Sequence, residues 1–178
     1  MTLMEFLPRA EDPQDFFEGA PTCEGCNAVT DHAWLPEYFH VRNRHASVMT
    51  YDVAVLVTER FVDAVRSVPG VVFDAIPGDP EYHRMLVEPV VTVDRTVGKF
   101  EVGETCAMCG RFTLHGWPVG FVDLDHPPTG FVRTDVEYGG IGNSRHCHQL
   151  ARLFADSTLA AALAKDKLCR FNPLRPHA

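Results

Sequence analysis

The sequence predicts an α+β fold in which two short helices accompany a small mixed or antiparallel sheet. Three observations lead to this prediction: short β-branched runs of strand length, two stretches with apolar residues at helical spacing, and two widely separated Cys-x-x-Cys pairs. The 178 residues suit a single compact domain, 1–178, or two related halves of about 1–98 and 99–178.

The composition excludes several classes of protein. With 46% hydrophobic and 22% charged residues, the chain is an ordinary globular sequence, which excludes disorder, collagen and coiled coil as its main state. Its formal charge of −8 argues against a protein that mainly grips nucleic-acid phosphates, because that affinity comes from Lys and Arg. A basic protein partner fits this charge better.

The first half contains a Cys-x-x-Cys pair, a helix and several strands. Residues 1–22, rich in Pro and acids, predict an irregular N-terminal arm. The run from Tyr51 to Val57 predicts a strand. Thr58 is a candidate N-cap for a helix that ends before Pro69 and Gly70. Two further strand predictions are Val71–Ile76 and His83–Asp94, the latter interrupted at Pro89.

The second half repeats this order. After the second Cys-x-x-Cys pair, residues 116–130 read as a loop, and Phe131–Tyr138 alternates as a half-buried strand. A glycine-rich turn then leads to a last helix, for which Asp156 is the candidate N-cap.

A shift of 98 residues aligns the two helix-strand stretches without a gap. Six apolar positions coincide, and Thr58 falls on Asp156. True duplication and the chance likeness of two amphipathic helices are both open explanations. The aligned pairs are Leu56/Phe154, Phe61/Leu159, Ala64/Ala162, Val65/Leu163, Phe73/Phe171 and Ile76/Leu174.

Four of the six cysteines form the strongest candidate site. Cys23, Cys26, Cys106 and Cys109 supply four soft ligands in two pairs, and two intervening residues let both sulfurs of a pair reach one ion. Four thiolates fill all four positions around a zinc ion, so no position is left for water or substrate. The pattern therefore predicts one structural zinc ion that holds the two Cys-x-x-Cys pairs together. A redox dithiol is the alternative, which would require two independent thioredoxin-like pairs.

Other reactive-looking groups are weaker candidates. His146, Cys147 and His148 could form a catalytic or second metal site, and Asp123, Asp125 and His126 could form a phosphoesterase-like cluster. The common hydrolase, phosphate-loop and zinc-deaminase motifs are absent, so we predict no enzyme activity. An aromatic and basic patch that could stack bases comprises His32, Trp34, Tyr38, Phe39, His40, Arg42, Arg44 and His45.

The N-terminal sequence and the cysteine pattern predict a cytoplasmic protein. No basic and apolar leader opens the chain, and no apolar run approaches the roughly 18 residues needed to span a bilayer. Paired cysteines in a reducing compartment favour metal over disulfide.

Several stretches resemble the double-CXXCG family of bacterial immunity proteins, which belong to swarming-inhibition and polymorphic-toxin systems. The resemblance rests on Cys106-Ala-Met-Cys-Gly-Arg111, the first pair at Cys23 and Cys26, and Leu56-Val-Thr-Glu-Arg-Phe-Val-Asp-Ala-Val-Arg66 followed by Gly70-Val-Val-Phe73. It carries over the four cysteines as the paired cysteines of that family. It implies a protein that binds and neutralises a cognate antibacterial toxin.

The resulting hypothesis is an immunity-type protein with structural zinc and a basic toxin domain as its partner. The alternative is a nucleic-acid-binding protein or a regulatory protein that contains zinc knuckles. An acidic arm with an aromatic pair is the candidate partner surface. Its residues are Glu11, Asp12, Asp15, Phe16, Phe17 and Glu18.

Overall fold

The computed structural model describes residues 2–94, 96, 101–115, 121, 129–138 and 150–173. Among these residues the chain forms twelve strands and two helices, which confirms the α+β class. The elements in chain order are β1 (Leu3–Leu7), β2 (Ala10–Asp12), β3 (Ser47–Thr50), β4 (Val55–Thr58), α1 (Glu59–Val65), β5 (Val71–Ile76), β6 (Asp79–Val87), β7 (Val90–Val91), β8 (Glu101–Thr105), β9 (Phe112–His115), β10 (Phe131–Tyr138), β11 (Leu150–Asp156), α2 (Ser157–Lys165) and β12 (Arg170–Pro173).

The strands form two five-stranded mixed sheets and a separate β8–β9 hairpin. The first sheet has the order β2-β3-β4-β6-β5, and the second has the order β7-β10-β11-β1-β12. In each sheet the first pair is parallel and the remaining three pairs are antiparallel. The two sheets therefore share one topology.

The predicted helix-strand repeat is present as a structural match between the sheets. β4, α1 and β5 in the first sheet correspond to β11, α2 and β12 in the second. Leu56 and Phe154, aligned by the shift of 98, are both fully buried on the corresponding strands. In the sheet, the two strands of this unit are separated by one other strand, which is β6 in the first sheet and β1 in the second.

The prediction of an irregular N-terminal arm is wrong for β1 and β2. β1 pairs with β11 on one side and with β12 on the other, so the N-terminus supplies an interior strand of the second sheet. Leu3 and Phe6 are buried there. Local composition did not reveal this strand because its partners lie about 150 residues away in the chain.

Two strand predictions are corrected in their bounds. The run from Tyr51 to Val57 is not one strand, because a turn between β3 and β4 places Val53 at a φ of 65°. The stretch His83–Asp94 contains the end of β6 and the short β7, with Pro89 in the break between them. Proline has no N–H to donate to a strand ladder, which accounts for the break.

One hydrophobic core joins the two sheets. It includes β4, β6 and α1 from the first sheet and β1, β10, β11 and α2 from the second. At its centre the Phe6 ring makes edge-to-face contacts with Phe61, Phe131 and Phe171 at centroid distances of 6.1, 5.7 and 5.9 Å.

The cover segment, residues 13–46, packs on the other face of the first sheet. A second core cluster forms there between Phe16 and Phe39 of the cover segment and residues of the sheet that include Leu56 and Tyr82. The cover segment carries the first Cys-x-x-Cys pair, so its packing positions that pair.

Candidate metal centre

Each Cys-x-x-Cys pair lies in a knuckle closed by the same two backbone hydrogen bonds. In the first knuckle, the Cys23 N–H donates to the Ala28 carbonyl at 2.8 Å and the Asn27 N–H donates to the Cys23 carbonyl at 2.7 Å. In the second, the Cys106 N–H donates to the Arg111 carbonyl at 2.7 Å and the Gly110 N–H donates to the Cys106 carbonyl at 2.9 Å. The knuckles are therefore equivalent in local structure.

The residue after each second cysteine has a left-handed backbone. Asn27 has a φ of 58° and Gly110 a φ of 71°. Glycine adopts this conformation without steric cost, and asparagine tolerates it better than most residues. This backbone turns the knuckle so that N–H groups face the sulfurs.

The structure brings the four predicted cysteines together. Their Sγ atoms all lie within 4.8 Å of one another. The Cys23 and Cys106 sulfurs are 3.8 Å apart, and the Cys26 and Cys109 sulfurs are 3.6 Å apart. An ion at the zinc–sulfur distance of about 2.3 Å requires sulfurs about 3.8 Å apart in a tetrahedron, far beyond the roughly 2 Å of a disulfide. The spacing therefore fits a four-coordinate metal ion.

The cluster is enclosed by protein. Cys23, Cys26 and Cys106 are buried, Cys109 is half-buried, and Ala28 packs beside them with no exposed surface. Gly25 in the first knuckle faces the second, because a Cβ built on it would lie 2.9 Å from the Met108 sulfur. A side chain at position 25 would push the knuckles apart.

Backbone N–H groups of the knuckles and burial shift the pKa of the cysteine thiols in opposite directions. N–H groups of Cys109 and Met108 point at the Cys106 sulfur and lower its pKa to about 6. Burial raises the pKa of Cys26 to about 12. A bound cation would favour the thiolate form of all four, since metal coordination deprotonates thiols.

Side chains outside the cluster tie it to the first sheet. Arg111, directly after the second knuckle, donates from Nη2 to Nε2 of His32 in the cover segment. Arg84 of β6, only 3% exposed, donates to the carbonyls of His32 at 2.6 Å and Trp34 at 3.1 Å and pairs with Asp74. Sequence reasoning missed this connection because a lone arginine within a strand carries no motif.

The predicted partner surface is partly wrong. Phe16 has no exposed surface and packs edge-to-face on Phe17 and Phe39, so it belongs to the core rather than to an interface. Asp12 is also fully buried, and its carboxylate accepts hydrogen bonds from the backbone N–H groups of Arg42 and Asn43 at 2.6 and 3.0 Å. These burials follow from the packing of the cover segment on the sheet.

Only part of the predicted acidic arm is accessible. Glu11 and Glu18 are exposed, whereas Asp15 and Phe17 are half-buried. The Phe17 N–H donates to the carboxylate of Asp52. Of the six residues, the two glutamates remain the accessible candidates for a partner contact.

The predicted aromatic and basic patch is only partly available as a surface. Phe39 is buried in the core. Arg44 pairs with Asp79 at 3.0 Å and with Glu81 at 2.8 Å, so its charge is balanced within the chain. These contacts reduce the ring surface and the positive charge that the patch offers to phosphates, whereas Arg42 and His45 are exposed.

Two predicted groups are not among the described residues, and Cys169 lies outside the cluster. His146, Cys147, His148, Asp123, Asp125 and His126 all lie outside the described residues. Cys169 is 1% exposed in the main core, and burial raises its pKa to about 12, so it is an inert packing residue.

Among the described residues, neither helix has the length and apolar character required to cross a membrane. No family model matches the chain, and comparisons with curated proteins and with solved structures returned no match.

Proposed function

We propose that this chain is an immunity-type protein that binds and neutralises a cognate toxin, its fold held by one structural zinc ion. The observation that carries the proposal is the closed cluster of Cys23, Cys26, Cys106 and Cys109, in which the protein supplies every ligand. Such a site leaves no position for substrate or water, so it stabilises the fold rather than performing chemistry. The biological activity would then come from contacts between the protein surface and a partner, and not from the metal site.

Zinc is the metal that this ligand set favours. Four thiolates in a tetrahedron suit zinc, and iron is the main competitor for the same ligands. Elemental analysis of protein purified without added metal distinguishes the two. We expect one zinc per chain, and one iron per chain would contradict the choice of metal.

The metal site gives a prediction with a matched control. Cys26→Ser removes a buried ligand, so we expect loss of the bound ion and a large fall in melting temperature, because such sites contribute on the order of 10 kcal/mol in small zinc modules. Cys169→Ala removes a buried cysteine outside the cluster and should retain one metal per chain. Unchanged metal content in Cys26→Ser would contradict the proposed site.

Metal affinity should fall as pH is lowered. Because burial holds the pKa of Cys26 at about 12, metal binding at neutral pH must displace its proton. Protons compete more strongly at lower pH, so the apparent dissociation constant should rise as pH is lowered from 8 toward 6. Competition titrations with a chromophoric chelator measure this, and a pH-independent constant would contradict thiol ligation.

The binding role is supported by the charge of −8 and by the resemblance to double-CXXCG immunity proteins. Many antibacterial toxins are basic nucleases, and opposite charges speed and orient association with such a partner. The test establishes whether a toxin-like gene lies beside this one and co-expresses its product with this chain, with a catalytically inactive form of that product as control. We expect survival only when this chain is present, and cell death in its presence would contradict the proposal.

A further inference from the structure

An open groove of about 530 Å³ lies beside the ends of β2 and β3. Glu11 of β2 and Met49 of β3 are register partners and both line it, as do Tyr51 and Val53 of the following turn. The lining is mainly apolar, with a carboxylate at its edge. This combination of surfaces occurs where long cationic side chains bury their stems and pair their charged ends.

The turn that carries Tyr51 is rigid. The Tyr51 N–H donates to the Gln14 carbonyl at 2.9 Å and the Val53 N–H donates to the Thr50 carbonyl at 2.9 Å. The side chains of Thr50 and Asp52 are buried and hydrogen-bonded to each other. The Tyr51 side chain is nevertheless 59% exposed. An exposed ring on a fixed backbone loses little conformational entropy on binding, as at interface hot spots.

Val53 holds a backbone conformation that its side chain disfavours. Its φ of 65° is an outlier for a β-branched residue. Strain of this kind concentrates at functional sites, where the surrounding structure imposes it. Here Val53 and Tyr51 belong to one turn, and both line the groove.

Among the described residues that line the groove, the exposed charged side chain is that of Glu11. Glu11 is exposed at the edge, and the buried carboxylate of Asp12 lies behind it. A guanidinium or ammonium group in the groove could stack on the Tyr51 ring and pair with Glu11.

We propose that this groove takes an arginine or lysine side chain from a basic segment of the partner protein. The inference rests on the proposed function and names its contact surface. A second copy of this chain is a poorer occupant, because two chains of charge −8 repel each other. Tyr51 and Glu11 are the residues that recognise the cation.

The first test titrates N-acetyl-arginine amide into the intact metal-loaded chain. Binding is observed by ¹H–¹⁵N NMR. We expect saturable shifts at Glu11, Met49 and Tyr51, and no such shifts with N-acetyl-leucine amide. Tyr51→Ala and Glu11→Gln should each weaken binding about fivefold. Tyr38→Ala, which removes a ring that is 81% exposed outside the groove, and Glu18→Gln are matched controls expected to bind normally. Equal weakening in the controls, or no shift at these residues, would overturn the proposal.

The second test separates this inference from the proposed function. If the wild-type chain binds the toxin, Tyr51→Ala should weaken that complex at least about tenfold while Tyr38→Ala leaves it unchanged. Equal affinities for the two variants would reject the groove and leave the immunity function in place. If the wild-type chain does not bind the toxin, the proposed immunity function is contradicted. The titration with N-acetyl-arginine amide then still shows whether the groove binds a cationic side chain. Self-association of the wild-type chain that is lost in Tyr51→Ala would identify a second copy as the occupant and overturn the proposal.

Discussion

Individual residues with positive φ lie in the two Cys-x-x-Cys knuckles and in the turn beside the groove. Asn27 and Gly110 adopt positive φ at equivalent positions of the two knuckles, where the conformation directs N–H groups toward the thiols. Val53 adopts it in the turn beside the groove, with a side chain poorly suited to that region. The first two conformations follow from residue type, whereas the third is imposed by the hydrogen bonds around Thr50 and Asp52.

The strain at Val53 predicts that a glycine there stabilises the fold. Val53→Gly should raise the free energy of unfolding by about 1 kcal/mol, because the strain of on the order of 1–3 kcal/mol exceeds the entropic cost of glycine. Val72→Gly, which changes an exposed valine of β5, should lower it. Urea titrations compare the two, and a loss of stability in Val53→Gly would show that the turn is not strained.

At the scale of elements, the two equivalent helices begin differently. The Asp156 carboxylate accepts from the N–H groups of Thr158 and Leu159 in α2, at 2.8 and 3.0 Å, and also from the N–H of Gly130 at 2.7 Å. Thr58, at the matching position before α1, makes no side-chain cap hydrogen bond. The sequence predicts N-caps at both Thr58 and Asp156. The structure shows that of these two side chains only that of Asp156 makes capping hydrogen bonds.

This difference predicts unequal effects of two similar substitutions. Asp156→Ala should cost about 1–2 kcal/mol or more of unfolding free energy, because it removes a cap and leaves the buried Gly130 N–H without its acceptor. Thr58→Ala should cost less than about 0.5 kcal/mol, since no cap hydrogen bond is lost. Chemical denaturation of both variants measures this, and equal losses would contradict the assigned caps.

Among the described residues, several contacts join the two halves of the chain, beside the shared core. The four-cysteine cluster combines one Cys-x-x-Cys knuckle from each half. β1, at the N-terminus, completes the second sheet between β11 and β12. Ser47 of β3 donates from Oγ to the Leu168 carbonyl in the second half at 2.6 Å. A cut near residue 98 would leave the second sheet without its interior strand.

Phe6 should therefore support the stability of the whole molecule. Phe6→Ala removes a buried ring that contacts Phe61, Phe131 and Phe171, so we expect a loss of about 3–5 kcal/mol. Phe73→Ala, at a half-buried ring of edge strand β5, should cost less. Calorimetry should show one transition in the wild-type chain, and two separable transitions would contradict a shared core.

The sequence by itself determined the features that depend on local pattern. These were the α+β class, the positions of α1, β5 and β10, the likeness of the two helix-strand units and the four clustered cysteines. Each depends on spacing or residue type within a few positions, apart from the cysteines, whose shared chemistry predicts one site.

Only the tertiary structure decided the features that depend on contacts distant in sequence. The interior place of β1, the burial of Asp12 and Phe16, the pairing of Arg84 and the strained turn at Val53 are set by neighbours that the local pattern does not specify. The physical reason is that burial depends on what covers a surface. Here the cover segment buries one face of the first sheet, and β1 enters the second sheet by pairing with strands that are distant in sequence.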